Sequence, residues 1–308
     1  MGANSPVPTP IPRNASKPAP APRTLATRAP TPTPSLGLGP VLLSGAVASR
    51  LFGWTPAAAV QGQVAVEAER IVAPSETAVS VTLLRFSQTL LQLSLHAGYQ
   101  DPGGSGWSHG DAVLPAEQGR LVAAFNGGFK LSTGAGGYLA DGRTAVALRT
   151  GMASIVSYND GRTDIGRWGS EVPASGRPVL SVRQNLQPLI DRGLLTSAVG
   201  TCAQPCWGET LGGGSAVARS GLGVDAGGRL IWAGGERLTV RALAEALLSA
   251  GAVRALELDI NPEWVAGYLY RHPTPSTAAA VQQIPTQPGV PGQFLAPYRR
   301  DFFTLTVR

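Results

Sequence analysis

Two carboxylates spaced two residues apart offer the most direct chemistry in this sequence. Ala255-Leu256-Glu257-Leu258-Asp259-Ile260 alternates apolar and acidic residues. On a strand running from Val253 to Ile260, Glu257 and Asp259 project from one face and Leu256, Leu258 and Ile260 from the other. At ~3.3 Å rise per residue their Cα atoms stand about 6.6 Å apart. Carboxylates at that range suit general acid/base or nucleophilic work at a glycosidic centre. The same pattern suits an ordinary strand whose acids face water, and spacing alone favours that reading.

Three further groups have chemical potential. Asn126-Gly127-Gly128-Phe129 follows an apolar run; two glycines let backbone N–H groups approach a bound anion or sugar closely, although the same residues make an ordinary turn. Arg219 opens a strand and carries the planar fork that suits phosphate oxygens, but it is one arginine among many. Cys202 and Cys206 are the only cysteines. A lone CxxxC supplies too few zinc ligands, and His96, His109 and His272 lack zinc spacing. No base lies near enough in sequence to activate a thiol, so a local Cys202–Cys206 disulfide and an oxidising compartment are expected. Asp259-Ile260-Asn261-Pro262-Glu263 begins like a calcium loop but lacks its glycine and its final glutamate. No metal or cofactor is therefore expected.

These groups need elements to position them. Val79–Phe86 has high β propensity, Leu90–His96 alternates with period two, and Leu121–Asn126 reads as a buried strand. Hairpins are expected around Asn159-Asp160-Gly161 and Asp225-Ala226-Gly227-Gly228, whose glycines supply positive φ. One helix is expected over Val240–Ala250, with Thr239 as N-cap and Gly251 beyond its end. Val240, Leu243, Leu247 and Ala250 share a face. The sum is an α+β fold, mostly antiparallel sheet with hairpins and a few packed helices.

The chain has 308 residues and a formal net charge of +6, with Gly at 39 and Pro at 26. No Gly-x-x period or heptad runs through it, which excludes collagen and coiled coil. Residues 1–66 carry Arg13, Lys17, Arg23, Arg28 and Arg50 and no acid, so the remainder is about neutral. A neutral domain has no general attraction for phosphate backbones, and nucleic acid is not an expected partner. Residues 1–40 hold runs such as Pro6-Val7-Pro8-Thr9-Pro10, which favour extended, solvated chain. The expectation is a disordered Pro-rich linker or stalk over 1–66 and one domain over 67–308. Within the first part, Val41–Ala48 reads as an apolar linker or a degenerate secretory signal. It is too short, and too broken by glycine and proline, to span a membrane, and no other segment can.

In their order along the chain, Ala123-Ala124-Phe125-Asn126-Gly127-Gly128-Phe129, Arg219-Ser220-Gly221-Leu222-Gly223-Val224 and the Leu238–Asp259 segment ending in Leu-Asp resemble the phosphodiester glycosidase family, relatives of the enzyme that uncovers mannose 6-phosphate. The resemblance covers about residues 75–308. Where the family usually continues from Leu-Asp as Gly-Gly-Gly-Ser, this chain has Ile260-Asn261-Pro262-Glu263, as in a bacterial branch. The resemblance implies a secreted or cell-surface hydrolase of sugar 1-phosphodiesters in envelope or extracellular polysaccharide. It implies Asp259 and Glu257 as catalytic carboxylates, Arg219 on the phosphate, and Asn126, Gly127 and Gly128 orienting a glycan or sugar-phosphate substrate. The rival expectation is a glycan-binding module of the same fold without turnover, and a weaker one is a structural envelope protein.

Overall fold

The computed structural model describes residues 1–2, 36–37, 53–76, 78–203 and 206–308. The chain divides into two compact units, 1–33 and 34–308. Of the first only residues 1–2 are described; of the expected 1–66 stalk, residues 3–35 and 38–52 lie outside the described residues, the Val41–Ala48 segment among them. All that follows concerns the second unit.

In chain order its strands begin with β1 Leu36–Gly37, β2 Thr55–Val60, β3 Gln63–Val72, β4 Ser80–Phe86, β5 Leu91–His96 and β6 Leu121–Asn126. There follow β7 Tyr138–Ala140, β8 Arg143–Val146, β9 Ala153–Tyr158, β10 Thr163–Arg167, β11 Val179–Gln184, β12 Pro188–Asp191 and β13 Leu194–Leu195. The last are β14 Val217–Asp225, β15 Leu230–Leu238, β16 Ala252–Glu257, β17 Gly267–Thr274, β18 Thr277–Gln282 and β19 Phe302–Val307. The helices are α1 Pro115–Gln118, α2 Ser197–Thr201 and α3 Val240–Ser249. The α+β expectation is therefore corrected to a β-rich fold. Among the described residues only α3 exceeds five residues. The Gly-rich links between strands close hairpins and loops instead of leading into helices. The first strands of the large sheet draw on residues from both sides of position 66. None of the described helices is long and apolar enough to cross a membrane.

Every pairing between named strands is antiparallel, and the strands form three sheets. A nine-stranded sheet runs β1-β2-β3-β4-β15-β14-β16-β12-β13; two five-stranded sheets run β10-β9-β11-β7-β8 and β18-β17-β6-β19-β5. Alternation assigns the faces. Trp232, Leu222 and Leu256 of the large sheet meet Phe125, Phe303 and Leu305 of the third sheet and Ile155 of the second in one core. On the other face of the large sheet, Ile231, Ala233 and Ala255 pack against Leu243 and Leu247 of α3. The α3 boundaries follow its local chemistry. The Thr239 hydroxyl accepts from the Ala242 N–H, and Gly251 takes φ 97° just past the end. The two expected hairpins form, with Gly161 at φ 79° and Gly228 at φ 78°.

Phe125 lies at the centre of the main core. Its ring is 5.7 Å from Phe303 and 6.2 Å from both Phe86 and Trp232, which joins the first and third sheets. It also ends the run that delivers Asn126. Phe125→Ala should cost about 3–5 kcal/mol, the range for emptying a buried aromatic site. Chemical denaturation checks this; a loss below 1 kcal/mol would show that the core collapses around the vacated space.

Candidate active site

β16 stops at Glu257, short of the expected end at Ile260. The cause is Asp259. Its Oδ1 accepts from the N–H groups of Ile260 and Asn261, at 2.8 and 2.9 Å, and so turns the chain. The Asn261 side chain then accepts from Glu263 N–H at 2.9 Å, and Pro262 cannot donate to a ladder. The strand alternation expected through Asp259 thus ends one residue beyond Glu257, and the two carboxylates acquire different surroundings.

Glu257 stays with Arg219. Gly221, opposite Glu257 in the β14–β16 ladder, faces Leu243 and Leu247 of α3, and Arg219 lies two residues from it on the same face. The Arg219 Nη1 donates to Glu257 Oε1 at 2.5 Å, its Nε to the Leu238 carbonyl and its Nη2 to the Ser215 carbonyl. All three guanidinium nitrogens are engaged within the protein. Glu257 is fully buried and its Oε2 has no hydrogen-bond partner among the described residues. Burial pushes its carboxyl up to about 7, opposed by Arg219.

Ser220 points the other way and receives Asn126. The Asn126 amide nitrogen donates to Ser220 Oγ at 3.0 Å and to the Gly127 carbonyl. Its oxygen accepts from the Ser220 hydroxyl and from Ala266 N–H. Ser220 N–H in turn donates to the Asp259 carbonyl.

Asp259, only 3% exposed, turns its second oxygen toward Arg300, 3.6 Å away. Arg300 also bonds Asp101 at 3.1 Å and the Gly128 carbonyl at 2.8 Å. Next to it, Asp301 pairs with Arg183 at 2.7 Å, both side chains fully buried, and accepts from Gly128 N–H. Three carboxyls and two guanidiniums thus share one largely buried region. Burial raises Asp259 to about 6 against the pull of Arg300 and the two turn N–H groups. Burial and the Asp301 charge also raise Asp101.

The glycines of Asn126-Gly127-Gly128 have a specific reason. Neither takes positive φ. A Cβ on Gly127 would lie 2.5 Å from the Asp301 Cγ and main-chain oxygen, and one on Gly128 would lie 2.8 Å from Asn185 Oδ1 and 3.0 Å from Arg183. The close approach that the glycines permit is made by the chain's own Asp301, Asn185 and Arg183. Asn185 completes the junction: its nitrogen donates to the carbonyls of Glu257 and Leu258, and its oxygen accepts from Phe129 N–H.

The structure therefore gathers Asn126, Gly127, Gly128 and Asp259 around Arg300 and Asp301, and leaves Glu257 and Arg219 as a separate pair on the α3 face. Arg183, Asn185, Arg300 and Asp301 join the site without having been singled out in the sequence, and Ser220 joins it from within the Arg219-Ser220-Gly221 segment. The one available signal was polar residues abutting apolar strands, in Val182-Arg183-Gln184-Asn185 and Arg299-Arg300-Asp301-Phe302. Cys202 and Cys206 form the expected disulfide, with Cα atoms 6.1 Å apart. No group of three or more metal-ligating side chains occurs among the described residues.

Two outcomes are expected. Gly127→Ala should destabilise by about 1–3 kcal/mol through overpacking against Asp301, measurable by denaturant titration. The second concerns pH. Glu257 and Asp259 hold protons to about 7 and about 6 in the folded chain, against ordinary values of 4.5 and 3.8. The folded state then binds more protons than the unfolded one between about pH 4 and about pH 7, so stability from this source falls as pH rises through that window. Thermal melts across it should show a shallower slope for Glu257→Gln; an unchanged slope would assign the dependence elsewhere.

No family model matches the sequence, and no curated protein matches it. Solved structures do resemble it. The catalytic domain of zebrafish N-acetylglucosamine-1-phosphodiester alpha-N-acetylglucosaminidase, auto-inhibited by its pro-peptide, is 17% identical with a TM-score of 0.48, over 79% of this chain and 82% of that one. A hypothetical protein from Synechocystis is 13% identical with a TM-score of 0.44, over 80% of this chain and 63% of that one. A candidate exported protein of Burkholderia pseudomallei K96243 is 12% identical with a TM-score of 0.39, over 76% and 75%.

Proposed function

We propose that this chain is an extracytoplasmic hydrolase of sugar 1-phosphodiester linkages in cell-envelope or extracellular polysaccharide, with Asp259 as its reacting carboxylate. The observation that carries the reading is the setting of Asp259: a buried carboxyl raised to about 6, 3.6 Å from Arg300 and next to the Asn-Gly-Gly turn. A carboxylate there stabilises or attacks an oxocarbenium-like anomeric carbon. The phosphate-binding role first expected of Arg219, whose three guanidinium nitrogens are all engaged, passes to Arg300, whose Nε and Nη2 bond Asp101 and the Gly128 carbonyl and whose Nη1 has no hydrogen-bond partner among the described residues. A phosphate leaving group lessens the demand for an acid catalyst. The Cys202–Cys206 disulfide supports an oxidising compartment.

A second reading, a glycan-binding module without turnover, draws on a specific observation. Asn126 and Arg219 spend their hydrogen bonds inside the fold.

Turnover separates the two. The full chain should release sugar from at least one of a panel of sugar 1-phosphodiesters, with or without chelator. Asp259→Asn should lower kcat at least about 100-fold while the melting profile is retained. The wild-type rate should rise with pH through about 6 as Asp259 ionises. Binding of panel members without product would establish the second reading and remove the first.

A further inference from the structure

The third sheet carries a polar cavity on the face turned away from the main core. Leu93 and Leu305 point inward to that core. Their strand neighbours point outward, and the β5–β19 register sets Gln92 opposite Thr306 and Ser94 opposite Thr304. The 109–120 segment covers this polar face, contributing His109, Glu117 and Arg120, and encloses a cavity of about 190 Å³. None of its lining residues belongs to the Asp259 network.

The donors and acceptors are specific. The Gly110 carbonyl can only accept, so His96 Nδ1 carries the proton and Nε2 accepts from the Thr304 hydroxyl. Burial lowers His96 to about 3, so the floor of the cavity is uncharged at neutral pH. Ser94 is 7% exposed, and its hydroxyl has no hydrogen-bond partner among the described residues. The same holds for the Gln92 amide and the Thr306 hydroxyl, both half-buried, while His109 Nδ1 stands 3.4 Å from Glu117 Oε1. These groups line the cavity with their hydrogen-bonding capacity unspent on the protein, so an occupant that both donates and accepts can use it. Charge narrows the class. Glu117 and Arg120 line it with opposite charges, and Arg120 directs its Nε and Nη2 to the Val307 carbonyl, so the cavity favours neither ion strongly. The hydroxyls and the amide serve donor and acceptor equally, which matches the hydroxyls of a sugar. The volume lies below the ~300 Å³ at the small end of drug-sized pockets, which limits the occupant to one ring.

We infer that the cavity between β5, β19 and the 109–120 segment is a binding site for a single uncharged sugar ring, separate from Asp259 and independent of catalysis there. Isothermal titration of the full chain with glucose, galactose, mannose, N-acetylglucosamine and inorganic phosphate tests it. At least one sugar should bind saturably at millimolar concentration or below. Gln92→Ala combined with Ser94→Ala should weaken it about tenfold or more. Thr306→Val, at a half-buried position, should weaken it in the same direction and serves if the double variant does not fold. Asp259→Asn should leave this binding unchanged, which separates the site from the proposed catalytic one. Failure of every sugar to saturate, sugar binding indifferent to the cavity variants or lost in Asp259→Asn, or phosphate binding competitively in place of sugar would each overturn the inference.

Discussion

The fold turns on a buried ion pair at the meeting of three sheets. Arg183 comes from β11 of the second sheet and Asp301 from the segment entering β19 of the third, and neither is exposed. Their geometry reaches the large sheet through Asn185, which holds the Glu257 and Leu258 carbonyls. Burying such a pair is costly unless its remaining hydrogen bonds are satisfied. Here Arg183 also donates to the Gln184 and Phe129 carbonyls, and Asp301 also accepts from Gly128. Gly127 and Gly128 have no side chains because these groups occupy the space.

That junction creates the electrostatics of the candidate site. Asp101, Asp259 and Asp301 share their surroundings with Arg183 and Arg300, one carboxyl more than the cations balance. Burial is the main reason that Asp259 retains its proton to higher pH than in solution; Arg300 opposes it and Asp301 adds a smaller push. Asp259 takes part in this while its other oxygen fixes the turn that ends β16. The residue that terminates the strand thus also faces the junction. Glu257, two positions earlier, answers instead to Arg219 on the α3 side.

Local features were legible in the sequence because their causes are local. The α3 helix follows from Thr239, an apolar stripe and Gly251; the two hairpins follow from Gly161 and Gly228. Asn126-Gly127-Gly128 was recognisable as a close-approach site, but its occupant comes from residues 183–185 and 301, which no short window contains. The expected shared face of Glu257 and Asp259 assumed a strand to Ile260, and the Asp259 side chain competes with that ladder for backbone N–H groups. Arg183 and Asp301 were hidden because charged residues are read as surface unless a partner is known. The helical share was overread, since α1 and α2 amount to single turns that leave no apolar stripe to anchor a layer.

The central claim is that burial beside this junction makes Asp259 a carboxyl of raised proton affinity. The most direct test is a carbon-13 NMR titration of the Asp259 side-chain carboxyl in the folded full chain, assigned by comparison with Asp259→Asn. The account predicts a midpoint of about 6. A midpoint at the ordinary 3.8 would contradict it, and with it the role given to Asp259.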